Sequence, residues 1–277
     1  MTAALHAEWI KLRSLRSTYL TMLCALALGT GLGVLDTTSV AHHWTTMSAQ
    51  DRAAFDPVGG SFNGLVFAQL AFGVLGVLAI STEYGTGMIR TTLAATPRRG
   101  ILYIAKALVV GAVALLLGET FAFGTFLLGQ AVLATNHLGV SLTDPGVLRA
   151  VSSAGLYLWV VAMVGYGVGA LLRHTAAGTA VMFGIIFLAW PAARALETWS
   201  YLPDKLILSN AADVLGQVHA QAVRPRLPSL GLAYLDLLIY LVAALVLGAW
   251  RTSRSRCPRI SVPVSSRSTP LTGTTCS

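Results

Sequence analysis

Charged residues are scarce in this chain. They make up 11% of its 277 residues, where a soluble domain carries about 25%. That is too little polar surface to cover a soluble globule. With 55% hydrophobic residues and a mean hydropathy of +0.69, it also excludes disorder over most of the length. Cysteine is nearly absent. Cys24 lies in an apolar run, and Cys257 and Cys276 lie in a polar tail. Three cysteines without ligand spacing argue against a disulfide framework or a zinc site. Acidic residues number 11 against 19 basic ones, a net charge of +8. The basic residues are scattered between long apolar runs rather than gathered on one surface, so no nucleic-acid partner is expected. Catalytic signatures are missing too. The chain has no G-x-x-x-x-G-K-[ST] phosphate loop, no H-E-x-x-H and no G-x-S-x-G. Any work done on ATP belongs to another chain.

What is present is a set of long apolar runs. A membrane helix needs about 20 mostly apolar residues to cross a hydrocarbon core about 30 Å thick. Six stretches qualify: Thr18 to Leu35, Phe62 to Thr82, Ala107 to Thr135, Ala150 to Leu172, Ala176 to Ala193 and Leu230 to Trp250. The expected fold is an all-α integral membrane protein with six transmembrane helices over residues 18–250. The first run is longer than a signal-peptide core and is read as a retained span. Orientation follows from Lys and Arg. With both termini inside, Lys11, Arg13 and Arg16, the arginines at 90, 98 and 99, Lys106, Arg173 and the five arginines from Arg251 onward lie in the cytoplasm. Only Arg52, Arg149, Arg194, Lys205, Arg224 and Arg226 lie outside. The bias agrees with a multi-pass protein that has an even number of spans and both termini in the cytoplasm.

The segments between the runs carry further expectations. In residues 1–17, Leu5, Trp9, Leu12 and Arg16 recur at helical spacing, which predicts a helix lying on the inner membrane surface. His42-His43 has no further ligand at suitable spacing, so no metal is expected there. Residues 83–100 are too long for a plain helix–helix turn. Gly85 and Gly87 break the preceding span, Met88 to Ala95 is predicted as a short helix, and Pro97 stops it. Such a helix facing the cytoplasm would serve as a docking device for a soluble partner; the plainer reading is an ordinary basic loop. In the outer segment 197–228, Ile207, Ala211, Val214 and Val218 predict a short amphipathic helix, with Asn210 as a candidate N-cap. Residues 251–277 are rich in Ser, Thr, Pro and Arg and read as a disordered basic cytoplasmic tail.

Polar residues inside the spans are few. Glu119 interrupts the third span, Gln130 follows three turns later on the same face, and Gln69 shares a face of the second span with Gly73 and Gly76. A carboxylate at the bilayer centre is unfavourable by about 3 kcal/mol on insertion scales. Glu119 is therefore expected to face the bundle interior, a cavity or a subunit seam, either on a translocation path or as a structural acid. Asp236, near the start of the last span, is expected at the outer interface. The pairs Gly29/Gly33 and Gly165/Gly169 have the spacing of close helix packing. The glycines at 165, 167 and 169 also fit a loose dinucleotide-binding pattern, but no strand precedes them, which excludes that use.

The start AEWIKLRSLRSTYL, the segment STEYGTGMIRTTLAATPRRG and the string GVGALLRHTAAG resemble the permease subunits of type-2 ABC transporters, especially the actinobacterial kind. The resemblance covers roughly residues 3–250. It implies that residues 1–17 form an elbow helix. It implies that Glu83, Tyr84, Gly85, Thr86, Gly87, Met88, Ile89 and Arg90 enter a coupling helix that docks on a separate ATPase subunit. It also implies a second permease copy, ATP and Mg bound only by the partner, no cofactor on this chain, export as the direction of transport, and the bacterial plasma membrane as the location. Two other readings stand beside it. An ion-gradient-driven transporter would use Glu119; a non-transporting anchor or sensor subunit would show no flux.

Overall fold

A computed structural model describes residues 16–85, 99–188, 191, 207–218 and 229–254. Most of the expected elbow helix, the segment from Thr86 to Arg98 and the tail beyond Arg254 lie outside the described residues. Every regular element among the described residues is a helix. A backbone in lipid must satisfy its hydrogen bonds within the segment, and an α-helix does so. Helix α1 is Arg16–His43, and two short helices follow, α2 (Ala49–Ala54) and α3 (Pro57–Ser61). Helix α4 is Leu65–Gly85, α5 is Arg99–Ala134 and α6 is Val147–Leu172. Helix α7, Thr175–Phe183, continues as a wider π-helical turn over Gly184–Leu188. Helix α8 is Leu208–Leu215 and α9 is Leu230–Arg254.

Five of these helices (α1, α4, α5, α6 and α9) are long and apolar enough to cross a membrane. The described part of the fifth expected span, Thr175–Leu188, is a shorter apolar helix. The outward faces are what a lipid solvent requires. Leu23, Leu28 and Leu35 of α1, Leu116 of α5, and Leu238 and Val246 of α9 are all exposed. Water would not tolerate so much uncovered aliphatic surface. The chain is an all-α, multi-pass membrane protein.

Two helices run further than the apolar runs suggest. Helix α1 continues past Leu35 to His43, and α5 begins at Arg99 rather than Ala107. At about 1.5 Å per residue, α5 is far longer than the bilayer core is thick.

Helix α6 is the axis of the bundle and is the most buried span. It packs on α4, α5 and α9, while α1 covers α4 and α5, and α7 lies against α4 and α6. In lipid, apolar burial does not drive helices together, so close approach must come from small residues. The α4–α6 crossing shows it. A Cβ on Gly76 would strike the Ala162 carbonyl, and one on Gly165 would strike the Gly73 carbonyl. Gly167 points the other way, where a Cβ would strike Ala244 of α9. The alternating glycines of α6 therefore separate two neighbouring helices by the width of their backbones.

The helices define two ends. At one end, α1, α5 and the start of α4 meet: Asn63 Nδ2 donates to Asp36 Oδ2 (2.6 Å), and Asn136 Nδ2 donates to the Ala41 carbonyl (3.1 Å). Helices α2, α3 and α8 gather here, and this is called the loop end. At the other, the terminal end, Arg16 starts α1, α4 gives way to residues 86–98, α6 turns into α7, and α9 finishes.

Candidate functional site

The expected coupling segment begins where α4 ends. Glu83, Tyr84 and Gly85 form the last turn of α4 at the terminal end. Thr86, Gly87, Met88, Ile89 and Arg90 lie outside the described residues. Tyr84 is held against the turn between α6 and α7: the guanidinium carbon of Arg173 stands 5.1 Å from its ring centroid. Arg173 Nη2 also donates to the Arg251 carbonyl of α9 (2.7 Å). A second tie joins α4 to the start of α7 through the hydroxyls of Ser81 and Thr175, 3.0 Å apart. Deeper in the bundle, Tyr166 donates to the Tyr103 carbonyl (2.8 Å), and Tyr103 donates to the Leu245 carbonyl of α9 (3.1 Å). The turn from α6 to α7 is thus fastened to the very strand of chain that leads into residues 86–98.

The polar residues expected within the spans are not brought together. Gln69 of α4 accepts a hydrogen bond from the Tyr157 hydroxyl of α6, and both side chains are buried. Gln130 of α5 is a structural fastener at the loop end. Its Nε2 donates to the Pro57 carbonyl (3.0 Å) and faces Ser61 Oγ (3.3 Å), while its Oε1 accepts from Val140 N (2.8 Å). Glu119 is partly exposed on α5, with its carboxyl over Gly155 of α6; a Cβ there would meet Glu119 Cδ at 2.7 Å. Gly155 makes the room for the acid. Asp236, expected near the outer interface, is packed against neighbouring side chains. It is only 4% exposed on the inner face of α9 between Ala233 and Leu237, and its Oδ2 has no partner among the described residues. Helices α6 and α8 both pack on α9, contacts that α9's own residues do not reveal.

The loop end is organised by Asp56, which sequence reasoning passed over. Asp56 is the N-cap of α3, with Pro57 in the first helical position. Its Oδ1 accepts from Val58 N (2.9 Å) and Gly59 N (3.1 Å), and its Oδ2 accepts from Val218 N (2.8 Å), just past α8. Arg149 Nη2 donates to the Gln217 carbonyl (3.0 Å), a second tie to the same segment. Between α3, α4 and α8 lies a cavity of about 160 Å³, lined in part by Phe62, Asn63, Gln69, Asp213 and Gln217. Helix α8 is the helix expected in the outer segment, and Ile207, Ala211 and Val214 are buried as the spacing predicted. It starts earlier than expected, however. Ile207 is the N-cap, and Asn210 is buried within the first turn. The sequence signal for Asp56 is Asp-Pro ahead of a short run, the pattern of an N-cap followed by proline in the first helical position.

No nucleophile–base pair is assembled among the described residues at either end. What the arrangement can do is mechanical: it can pass a displacement at the terminal end through tied helices to the loop end. Residues 4–190 match the sequence profile of a family described as ABC-2 family transporter protein. The chain belongs to the ABC-2 transporter family. The match covers well over half of the chain and takes in α1 to α7. A search of curated proteins found no match. As an ABC-2 permease subunit, the chain is a membrane transport component and not itself the catalyst. Membership implies association with an ATPase subunit.

Proposed function

We propose that this chain is the permease subunit of an ATP-driven exporter of the plasma membrane, with its terminal end and both termini in the cytoplasm. Two permease copies, identical or sibling, pair with two copies of a separate ATPase, which alone bind ATP and Mg. Six crossings run over residues 18–250, the fifth of them being α7 extended toward Ala193. Residues 1–17 form an elbow helix, and 251–277 a basic cytoplasmic tail. Glu83 to Arg90 enter the coupling helix. The observation that carries this reading is the ABC-2 match combined with the missing phosphate loop. The ties at the end of α4 support it, because the last turn before residues 86–98 is fastened to its neighbours rather than loose. A helix between two spans can then pass a rigid-body push to both of them.

The test is affinity purification of the tagged protein in mild detergent, with mass spectrometry of what accompanies it. A stoichiometric soluble protein carrying a phosphate-loop sequence is expected. With that complex in vesicles, Gly87→Pro or Glu83→Ala should leave ATP hydrolysis running while nucleotide-driven transport falls away. Unchanged transport in both variants refutes the coupling assignment. Flux driven by an ion gradient without an ATPase, and abolished in Glu119→Gln, refutes the whole reading.

A further inference from the structure

The cavity at the loop end is bordered by polar side chains whose bonding capacity is not used up. Gln69 of α4 is only 4% exposed, and its Oε1 is taken by the Tyr157 hydroxyl. Its Nε2 has no acceptor among the described residues, and the side chain borders the cavity. Asn63 spends Nδ2 on Asp36, which leaves its Oδ1 as an acceptor. The Gln217 side chain lies against α3, where glycine at position 59 makes the room: a Cβ there would meet Gln217 Cγ at 2.7 Å. The Gln217 side-chain amide makes no hydrogen bond among the described residues. Buried polar groups are ordinarily paired. Spare donors and acceptors on three amides around one space call for an occupant.

The size and charge of the space say what fits. At about 160 Å³ it is far larger than the about 10–15 Å³ that one water needs. It is smaller than a pocket for a whole drug-sized ligand, about 300–1,000 Å³, and suits a single head group. The Asp213 carboxylate is in the wall, and none of the described lining residues is basic. Asp36 is bonded to Asn63, and Asp56 to Val218 N, next to Gln217. One described base, Arg149, reaches this segment, and its Nη2 is spent on the Gln217 carbonyl. Three carboxylates against one guanidinium leave the space negative. Asp213 has contacts of its own within the protein; a carboxylate offers about four lone-pair sites and can share one with a ligand. Phe62 and Val66 add apolar wall. The walls are also fixed in advance, because Asp56 ties α3 to the segment after α8 and Arg149 ties that segment to α6. A site already ordered binds more tightly than one that must be assembled.

We propose that this cavity binds an organic ammonium group that has a hydrogen-bond acceptor close by. The ammonium donates to Asp213 and to Asn63 Oδ1, and the neighbouring acceptor takes the N–H of Gln69. On the export reading given above, on which the sidedness rests, this is the outer end of the bundle, and the site holds the polar head of an amphiphilic amine there. A soluble amine and the headgroup of an amino lipid share the required chemistry.

The test uses the whole chain, without an ATPase, in phosphatidylcholine nanodiscs, with ethanolammonium chloride as the probe. Binding is followed by saturation-transfer difference NMR against empty nanodiscs. Ethanolammonium should bind saturably, whereas neutral ethylene glycol and anionic glycolate, of similar size, should not. Asp213→Asn should weaken binding by about tenfold or more, since a charge-assisted hydrogen bond is lost, and Gln69→Leu should weaken it severalfold. Asp51→Asn removes a charge from an exposed site at the same end and should change binding by less than about twofold, because exposed charges are screened. If Asp213→Asn fails to fold, Val66→Phe fills the space with every polar group kept, and it should abolish binding. Absence of saturable binding, equal binding of all three probes, or undiminished binding in Val66→Phe overturns the proposal. So does a loss in Asp51→Asn equal to that in Asp213→Asn, which marks diffuse surface charge. Phosphatidylethanolamine added to the discs separates the two sources: displacement of the probe assigns the site to the lipid headgroup, and unchanged binding assigns it to a soluble amine. With no ATPase present, failure here leaves the coupling reading standing, and failure to recover an ATPase leaves this site standing.

Discussion

Replacing Asp56 by alanine removes three hydrogen bonds from one carboxylate. Two of them cap α3 at Val58 N and Gly59 N, and the third reaches Val218 N beyond α8. Loss of an N-cap destabilises by about 1 kcal/mol. A hydrogen bond to a charged group contributes about 1.5–3 kcal/mol, and Asp56 is only half-buried, so the lower end applies. Together, Asp56→Ala should destabilise by about 2–3 kcal/mol. Asparagine separates the two parts. Its amide has a single acceptor oxygen, so it serves the cap or Val218 but not both, and Asp56→Asn should fall between wild type and alanine. Asp51 is the comparison. It also sits in the first turn of a short helix, but its bond to Ser48 Oγ is exposed (2.6 Å). Asp51→Ala should change stability by no more than about 0.5 kcal/mol. The assay is the loss of monodisperse protein on heating in detergent, followed by fluorescence-detected size exclusion. Unfolding here is a rate process, so all variants are compared at one heating rate. At about 2–4 °C per kcal/mol for a chain of this size, Asp56→Ala should lose several degrees. An Asp56→Ala midpoint equal to that of wild type, or an asparagine variant below alanine, would show that α3 and α8 are not braced through this carboxylate.

Two further outcomes follow from the bundle. Gly76→Leu should abolish accumulation of folded protein in the membrane, since a side chain there meets the Ala162 backbone rather than a movable group; normal yield by size exclusion would refute the α4–α6 crossing. Tyr157→Phe, by contrast, removes one interhelical hydrogen bond to Gln69, and such bonds in membranes average about 0.6 kcal/mol. Its midpoint should drop by a degree or two at about 2–4 °C per kcal/mol, and a loss larger than that of Asp56→Ala would place the main stabilisation at the wrong end of α6.

Five of the six expected spans were legible in the sequence because a lipid solvent imposes one requirement over about 20 residues, and local composition meets it. The glycine face of α4 and the amphipathic pattern of α8 were legible for the same local reason. Which helix lies at the centre was not. In lipid the outward and inward faces are both apolar, so hydropathy does not distinguish α6, which is buried, from α9, which is largely exposed. Glu119 and Asp236 show the same limit. The place of Glu119 over Gly155 and the burial of Asp236 depend on which helices lie beside them, and composition does not encode that.

By itself the sequence determined the class of the protein, the five long apolar stretches able to cross a membrane, and the lack of a phosphate-loop motif in the 277 residues. These depend on residue type summed along short windows. Only the tertiary structure decided that α6 is the axis, that Asp56 joins α3 to the segment after α8, and that Arg173 meets both Tyr84 and Arg251. Those residues are separated by up to 162 positions. Their meeting depends on helices that cross at glycines, and no local pattern encodes which glycine faces which neighbour.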